Sequence, residues 1–104
     1  MTDEKRSSDR IPTNLSARWH GVSGAHEGRI EDLSPTGCFV NTRGAVDVGE
    51  RISLLIQLPS GAWVPLRGSV AFFQQMTGFS VAFALDDEKQ REQLQQLIES
   101  QNHR

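Results

Sequence analysis

Hydrophobic and polar residues alternate along six short runs of the chain. The clearest run covers residues 52–58, where Ile52, Leu54, Ile56 and Leu58 fall on one face of an extended backbone. A period of two residues is typical of a strand with one buried face. The pattern predicts six strands, at residues 15–20, 29–33, 38–41, 52–58, 63–73 and 79–83.

The alternation also predicts which side chains face the core. Leu15, Ala17 and Trp19 share one face of the first run and are expected to be buried. In the fifth run the period of two places Phe72 on the inward face, so we expect it to pack in the core. The predicted inward positions of that run are Val64, Leu66, Gly68, Val70 and Phe72.

The last part of the chain has helical spacing instead. Leu94, Leu97 and Ile98 recur three to four residues apart among glutamines and charges, which predicts an amphipathic helix that packs on the sheet. Asp87 is the predicted N-cap, and Gln90 follows three residues later in the manner of a capping box.

Six short strands and one terminal helix predict a mainly β fold, a small six-stranded antiparallel β-barrel with a C-terminal α-helix. At 104 residues the chain is expected to form one domain. Residues 1–13 are polar and offer little apolar area to bury, so they are predicted to form a flexible N-terminal arm. The barrel is expected at 14–86 and the helix at 87–101.

Composition narrows the classes of function. No apolar run is long enough for a membrane-spanning helix, and the charged N-terminal residues lack the apolar segment of a secretion signal. Cys38 is the single cysteine, so a reducing cytoplasm is the expected location and burial as a small hydrophobe its expected role. A net charge of −2 argues against a broad nucleic-acid interface, but a few placed cations still suffice for a small anion.

Two short elements carry the candidate chemistry. Arg6 and Arg10 form an R-x-x-x-R element, and Asp32, Ser34 and Gly37 form a D-x-S-x-x-G element. Serine, proline, threonine and glycine in the second element predict a tight turn between two strands. The two elements, in this order before and after a first strand, resemble those of the PilZ domain family, bacterial receptors for the second messenger cyclic di-GMP.

The resemblance implies a site for that nucleotide. Arg6 and Arg10 are expected to bind guanine and phosphate, because a guanidinium group matches guanine O6 and N7, stacks on a purine and grips phosphate. Asp32 is expected to accept from guanine N1–H and N2, Ser34 to donate to a phosphate or to hold the arm, and Gly37 to allow close approach. No cofactor and no metal are expected.

Three positions depart from the resemblance or stay unassigned. Asp9 stands beside Arg10, where an exposed ion pair worth about 0–1 kcal/mol would tune affinity. Phe72 stands where the family often has tryptophan, and whether it or Lys5 contacts the ligand is left open. Trp63 has no assignment beyond hydrophobic packing.

Two other classes of function compete with a receptor for cyclic di-GMP. An enzyme is disfavoured, because Ser34 lacks a glycine-flanked elbow and His20, His26 and His103 have no recognisable ligand or triad spacing. His20 and His26 are expected to be surface residues of a strand and a loop. The alternative is a PilZ-like protein–protein interaction module that does not use nucleotide.

The expected role is that of a receptor or adaptor, in motility, biofilm or virulence control by analogy with the family. We expect it to change conformation on binding cyclic di-GMP and to signal to an unidentified effector protein. The chain is expected to be a monomer or weak dimer, with no DNA, RNA or membrane insertion among its interactions.

Overall fold

A computed structural model describes residues 10–102. Six antiparallel strands close into a barrel in the order β1-β2-β3-β6-β5-β4, and one helix follows the last strand. This architecture confirms the predicted fold class. The elements are β1 (Ile11–Gly21), β2 (Gly24–Leu33), β3 (Gly37–Asn41), β4 (Arg51–Gln57), β5 (Trp63–Gln74), β6 (Gly78–Phe83) and α1 (Glu88–Asn102).

The first hairpin is longer than the alternation predicts. Strand β1 begins at Ile11, and β2 begins at Gly24, five residues before the predicted start at 29. The added part of β2 is rich in glycine and polar residues, so it has no hydrophobic period of its own. It is a strand because it pairs with β1, from Ser16 opposite Arg29 to Gly21 opposite Gly24. Pairing with a neighbour therefore extends the strand beyond its local pattern.

The core fills the barrel and continues under the helix. Trp19 is its largest fully buried side chain, and its indole N–H donates to the Thr42 hydroxyl at 3.1 Å. Its ring meets the edge of Phe79, with the centroids 4.9 Å apart. The buried apolar residues are Leu15, Ala17, Trp19, Ile30, Leu33, Cys38, Val40, Val46, Ile52, Leu54, Ile56, Val64, Leu66, Val70, Phe79, Val81, Phe83, Leu94 and Leu97.

The prediction that Phe72 faces the core is wrong. The pairing of β5 with β6 shifts by one residue between Val70 and Phe72, which is a β-bulge. A bulge reverses the alternation beyond it, so Phe72 points outward and is 53% exposed. Phe73 packs partly buried against the core instead.

The prediction that His26 is a surface residue of a loop is also wrong. His26 lies in β2 and is partly buried, with its ring stacked on Trp19 at a centroid distance of 4.2 Å. Its Nε2 shares a hydrogen bond with the Ser23 hydroxyl at 2.8 Å. His20 is exposed on β1, as predicted.

The helix begins as predicted, but Gln90 does not form a capping box. Asp87 accepts from the Lys89 backbone N–H at 2.9 Å and is the N-cap. The buried Gln90 side chain instead accepts from the Arg67 N–H at 2.9 Å and donates to the carbonyl oxygens of Arg67 and Ala84. Gln90 thus ties α1 to the interior of β5 at Arg67 and to Ala84, the residue after β6. No helix within residues 10–102 has the length and apolar character needed to cross a membrane.

Replacing Gln90 tests this tether. Gln90→Ala removes three hydrogen bonds and leaves buried backbone groups unsatisfied, so the free energy of unfolding should fall by about 1–3 kcal/mol. Urea denaturation measures the change. Gln96→Ala, at an exposed position of the same helix, is the matched control and should alter stability by less than about 0.5 kcal/mol. Equal stability of the two variants would contradict the tether.

Candidate functional site

The two sequence elements meet at an ion pair between Arg10 and Asp32. Arg10 Nη1 donates to Asp32 Oδ1 at 2.6 Å, and the two side chains are 52% and 32% exposed. They meet because Pro12, near the start of β1, pairs with Asp32, near the end of β2. A cation and a carboxylate 22 residues apart in sequence therefore share one patch of surface.

The predicted arginine partner at position 6 lies outside the described residues. The same is true of Lys5 and Asp9, so the expected pairing of Asp9 with Arg10 is not part of the described structure. Within residues 10–102, the carboxylate that pairs with Arg10 is that of Asp32.

Ser34 is buried in the turn that follows β2. Its hydroxyl oxygen accepts from the backbone N–H groups of Thr36 and Gly37, each at 3.2 Å. The hydroxyl lies 3.3 Å from the Gly37 carbonyl, to which it donates. A serine that bonds the backbone two and three residues on stabilises a tight turn. In the structure the hydroxyl is thus engaged by its own turn, and its contact with a phosphate stays a prediction.

Gly37 is required by the packing of two strands. It begins β3 and pairs with Ala82 of β6. A Cβ at this position would collide with the Val81 carbonyl oxygen. The missing side chain lets β3 approach β6 closely, and so fixes where the turn and Asp32 stand relative to the rest of the barrel.

Cys38 lies directly after this turn and is buried, as predicted. Burial raises the pKa of its thiol far above the usual value, and the nearby Asp32 charge raises it further, whereas Arg10 lowers it. The thiol stays protonated at neutral pH, which suits a packing role and not that of a nucleophile.

A row of outward side chains extends from Asp32 across three neighbouring strands. Asp32 pairs with Phe39 of β3, Phe39 pairs with Ser80 of β6, and Ser80 pairs with Phe72 of β5. Phe39 and Ser80 are partly exposed, and Phe72 is 53% exposed. With strands about 4.8 Å apart, the row is about 14 Å long. We call these four residues the Asp32–Phe72 row.

Sequence reasoning missed Phe39 and Ser80 and misplaced Phe72. Membership of the row depends on cross-strand register, which a single strand does not encode. One signal was available for β5: Phe72 and Phe73 are adjacent, and in a regular strand only one of two neighbours faces the core.

The row offers contacts for a flat, partly charged ligand. It has the Asp32 carboxylate at one end, beside the Arg10 guanidinium, a hydroxyl in the middle and the exposed Phe72 ring at the far end. Among residues 10–102 no group of three or more His, Cys, Asp and Glu side chains is placed to hold a metal ion.

Comparison with known proteins gives a family and a fold. The PilZ domain model matches residues 4–100. A search of curated proteins found no match. The chain is similar in structure to the PilZ domain of CeSA from a cellulose-synthesizing bacterium, with a TM-score of 0.75 and 19% identity over 90% of this chain and 98% of that one.

Two further solved structures are similar. The PilZ domain of YcgR from Escherichia coli, solved with c-di-GMP, has a TM-score of 0.74 and 16% identity over 89% of this chain and 88% of that one. The Bacillus subtilis inhibitor of motility has a TM-score of 0.64 and 18% identity, and 91% of this chain matches 50% of that one. At these identities the likeness is one of fold.

The turn's own hydrogen bonds yield a prediction for Ser34. Ser34→Ala removes a buried hydroxyl that bonds three backbone groups, so the free energy of unfolding should fall by about 1–2 kcal/mol, as measured by urea denaturation without ligand. Ser60→Ala, at an exposed loop position, is the control and should change it little. A Ser34→Ala variant as stable as the parent would show that the hydroxyl is not needed for the turn.

Proposed function

Because the chain belongs to the PilZ domain family, we propose that it binds cyclic di-GMP on the Asp32–Phe72 row and acts as a receptor, not as an enzyme. The observation that supports this most is the ion pair between Arg10 and Asp32. It brings together the two groups best suited to recognise guanine and phosphate, at the exposed end of a row that also carries a phenyl ring.

Asp32 is the proposed reader of guanine. Its carboxylate is acceptor-only, and guanine presents two donors, N1–H and the N2 amino group, on one edge. The side chain is 32% exposed, so a base has access to it. The competing contact with Arg10 is also exposed, and such a pair is worth about 0–1 kcal/mol, so it exchanges readily for a ligand contact.

Arg10 is the proposed contact for the phosphates or for guanine O6 and N7. Its side chain is 52% exposed, and its guanidinium group is held at the edge of the barrel by Asp32. When the carboxylate turns to guanine, the five donors of the guanidinium become available to phosphate, with which arginine forms bidentate bonds. Arg6 is proposed as its partner, with the arm before β1 closing over the nucleotide.

Phe72 and Phe39 are proposed as the surface on which a base stacks. Stacking of a base on an aromatic side chain contributes about 1–3 kcal/mol. The bulge at β5 supports this role, because it exposes a large apolar ring that a regular strand would have buried. Ser34 and Gly37 are proposed to form the wall of the site, because they set the shape of the turn. Ser34 is also proposed to donate to a phosphate or to hold the arm, and Gly37 to allow close approach of the ligand.

The proposed output is a contact with an effector protein in the cytoplasm. Closing the arm over the nucleotide would change the surface near β1 and β2, which a partner then reads. Control of motility, biofilm formation or virulence is the process that the family suggests. A monomer or weak dimer is the proposed state of the free protein.

Calorimetric titration with cyclic di-GMP tests the site. The parent should bind, and Arg6→Ala, Arg10→Ala and Asp32→Ala should each weaken binding at least about tenfold, because each removes a charge-assisted contact. Arg43→Ala, in the loop after β3, and Glu92→Ala, on the helix, are the matched controls at exposed positions and should bind like the parent.

Two results would contradict the proposal in different ways. Absence of heat with a folded parent protein favours the module that uses no nucleotide. Binding by Arg10→Ala or Asp32→Ala as tight as that of the parent leaves a receptor whose site lies elsewhere.

Phe72 gives an independent prediction. Phe72→Ala should weaken cyclic di-GMP binding about tenfold through loss of stacking, while Phe72→Trp should retain it. Met76→Ala removes a similarly exposed apolar side chain from the β5–β6 turn and serves as the control. Equal affinity of Phe72→Ala and the parent in the same titration would exclude the ring from the site.

A further inference from the structure

A groove crosses the outer wall of the barrel on strands β2, β1, β4 and β5, with a volume of about 590 Å³. It shares only β2 and β5 with the Asp32–Phe72 row, which extends the other way around the barrel through β3 and β6. The groove is lined by Ser16, Ala17, Arg18, Glu27, Gly28, Arg29, Gln57 and Trp63.

Arg18 is oriented by Trp63. Its guanidinium carbon lies 5.1 Å from the centroid of the indole ring, and the ring is 38% exposed at the start of β5. Stacking engages the flat face of a guanidinium and leaves the N–H groups at its edge free to bind a carboxylate. The indole therefore holds a bidentate anion-binding group in place at the surface.

Arg29 is the second cation of the groove. Its Nη1 donates to the Ser16 hydroxyl across the β1–β2 pair, at the long distance of 3.5 Å. Within residues 10–102, neither Arg29 nor Arg18 has a carboxylate within 4.0 Å. Glu27 lines the groove and lies opposite Arg18 in the strand register, yet it forms no such pair.

An apolar surface continues from this cationic pair. Leu55 of β4 is 40% exposed and lies opposite Arg18 in the register. Arginine and tryptophan are the residue types most enriched where protein interfaces derive their binding energy. The groove and the adjoining Leu55 thus combine two guanidinium groups that lack a carboxylate among the described residues with two exposed apolar side chains.

We propose that this groove is the docking site for an acidic segment of a partner protein. Two of the segment's carboxylates pair with Arg18 and Arg29, and an apolar side chain between them packs on Trp63 and Leu55. Nucleic acid fits the groove less well, because two cations beside Glu27 on a chain of net charge −2 make a small electrostatic footprint. The inference does not depend on nucleotide binding.

A nuclear magnetic resonance titration without nucleotide tests the proposal. The probe is a short synthetic peptide of glutamates around a central leucine. It should shift the Trp63 indole N–H signal and the Nε–H signals of Arg18 and Arg29. The buried Trp19, the other tryptophan of the chain, is an internal reference and should not shift. The same peptide with serine for leucine should bind more weakly.

Charge variants make the test specific. Arg18→Glu combined with Arg29→Glu should weaken peptide binding at least about tenfold, and Glu27→Gln should strengthen it about twofold by removing a competing charge. Arg43→Glu with Arg51→Glu makes the same change in net charge as the double arginine variant, at exposed positions that do not line the groove. Glu92→Gln, at an exposed position of the helix, makes the same change in net charge as Glu27→Gln. Both controls should bind like the parent.

Three results would overturn the proposal. One is a set of shifts spread over all exposed arginines, which indicates screening without a site. Another is equal loss of affinity in the groove variants and their controls. The third is tighter binding of a matched oligothymidylate than of the peptide in the groove, which assigns the surface to nucleic acid. Because no nucleotide is present, each outcome is independent of cyclic di-GMP binding.

Discussion

The pairing of β1 with β2 is the constraint on which the candidate site depends. It places the residue before β1 beside the residue near the end of β2, and so brings the Arg10 guanidinium to the Asp32 carboxylate. Neither group has a defined neighbour in the local sequence, and the pairing of the two strands supplies one. In the same hairpin, β1 also carries Arg18 and β2 carries Arg29, so one pair of strands presents cations at two separate surfaces.

The turn after β2 is the part of the candidate site that is held by its own hydrogen bonds. Ser34 bonds its own backbone and Gly37 allows β3 to lie against β6, so both residues act on the position of Asp32 through the shape of the chain. Arg10 and Phe72, by contrast, have exposed side chains at opposite ends of the row. A turn held by its own hydrogen bonds, flanked by groups that a ligand can reach, suits the proposed recognition of a molecule with two bases and two phosphates.

The barrel and the helix could be predicted from the sequence, because they follow from period-two alternation and helical spacing. The two motifs were identified through the resemblance to the PilZ family, and the direct ion pair between Arg10 and Asp32 was not predicted. The features that could not be predicted from the sequence depend on contacts between elements. The bulge that exposes Phe72, the stacking of His26 on Trp19 and the use of Gln90 as a tether all need a partner on another strand or helix. Phe39 and Ser80 belong to the candidate site because each pairs with a residue on a neighbouring strand.

The measurement that tests the central claim most directly is a map of backbone amide shifts in the full chain as cyclic di-GMP is added. We expect the largest shifts at Asp32, Phe39, Ser80 and Phe72 and around Arg10, on one side of the barrel. The opposite wall, at Leu55 and Pro65, should change little. Shifts centred on that wall, or none at saturating nucleotide, would contradict this expectation.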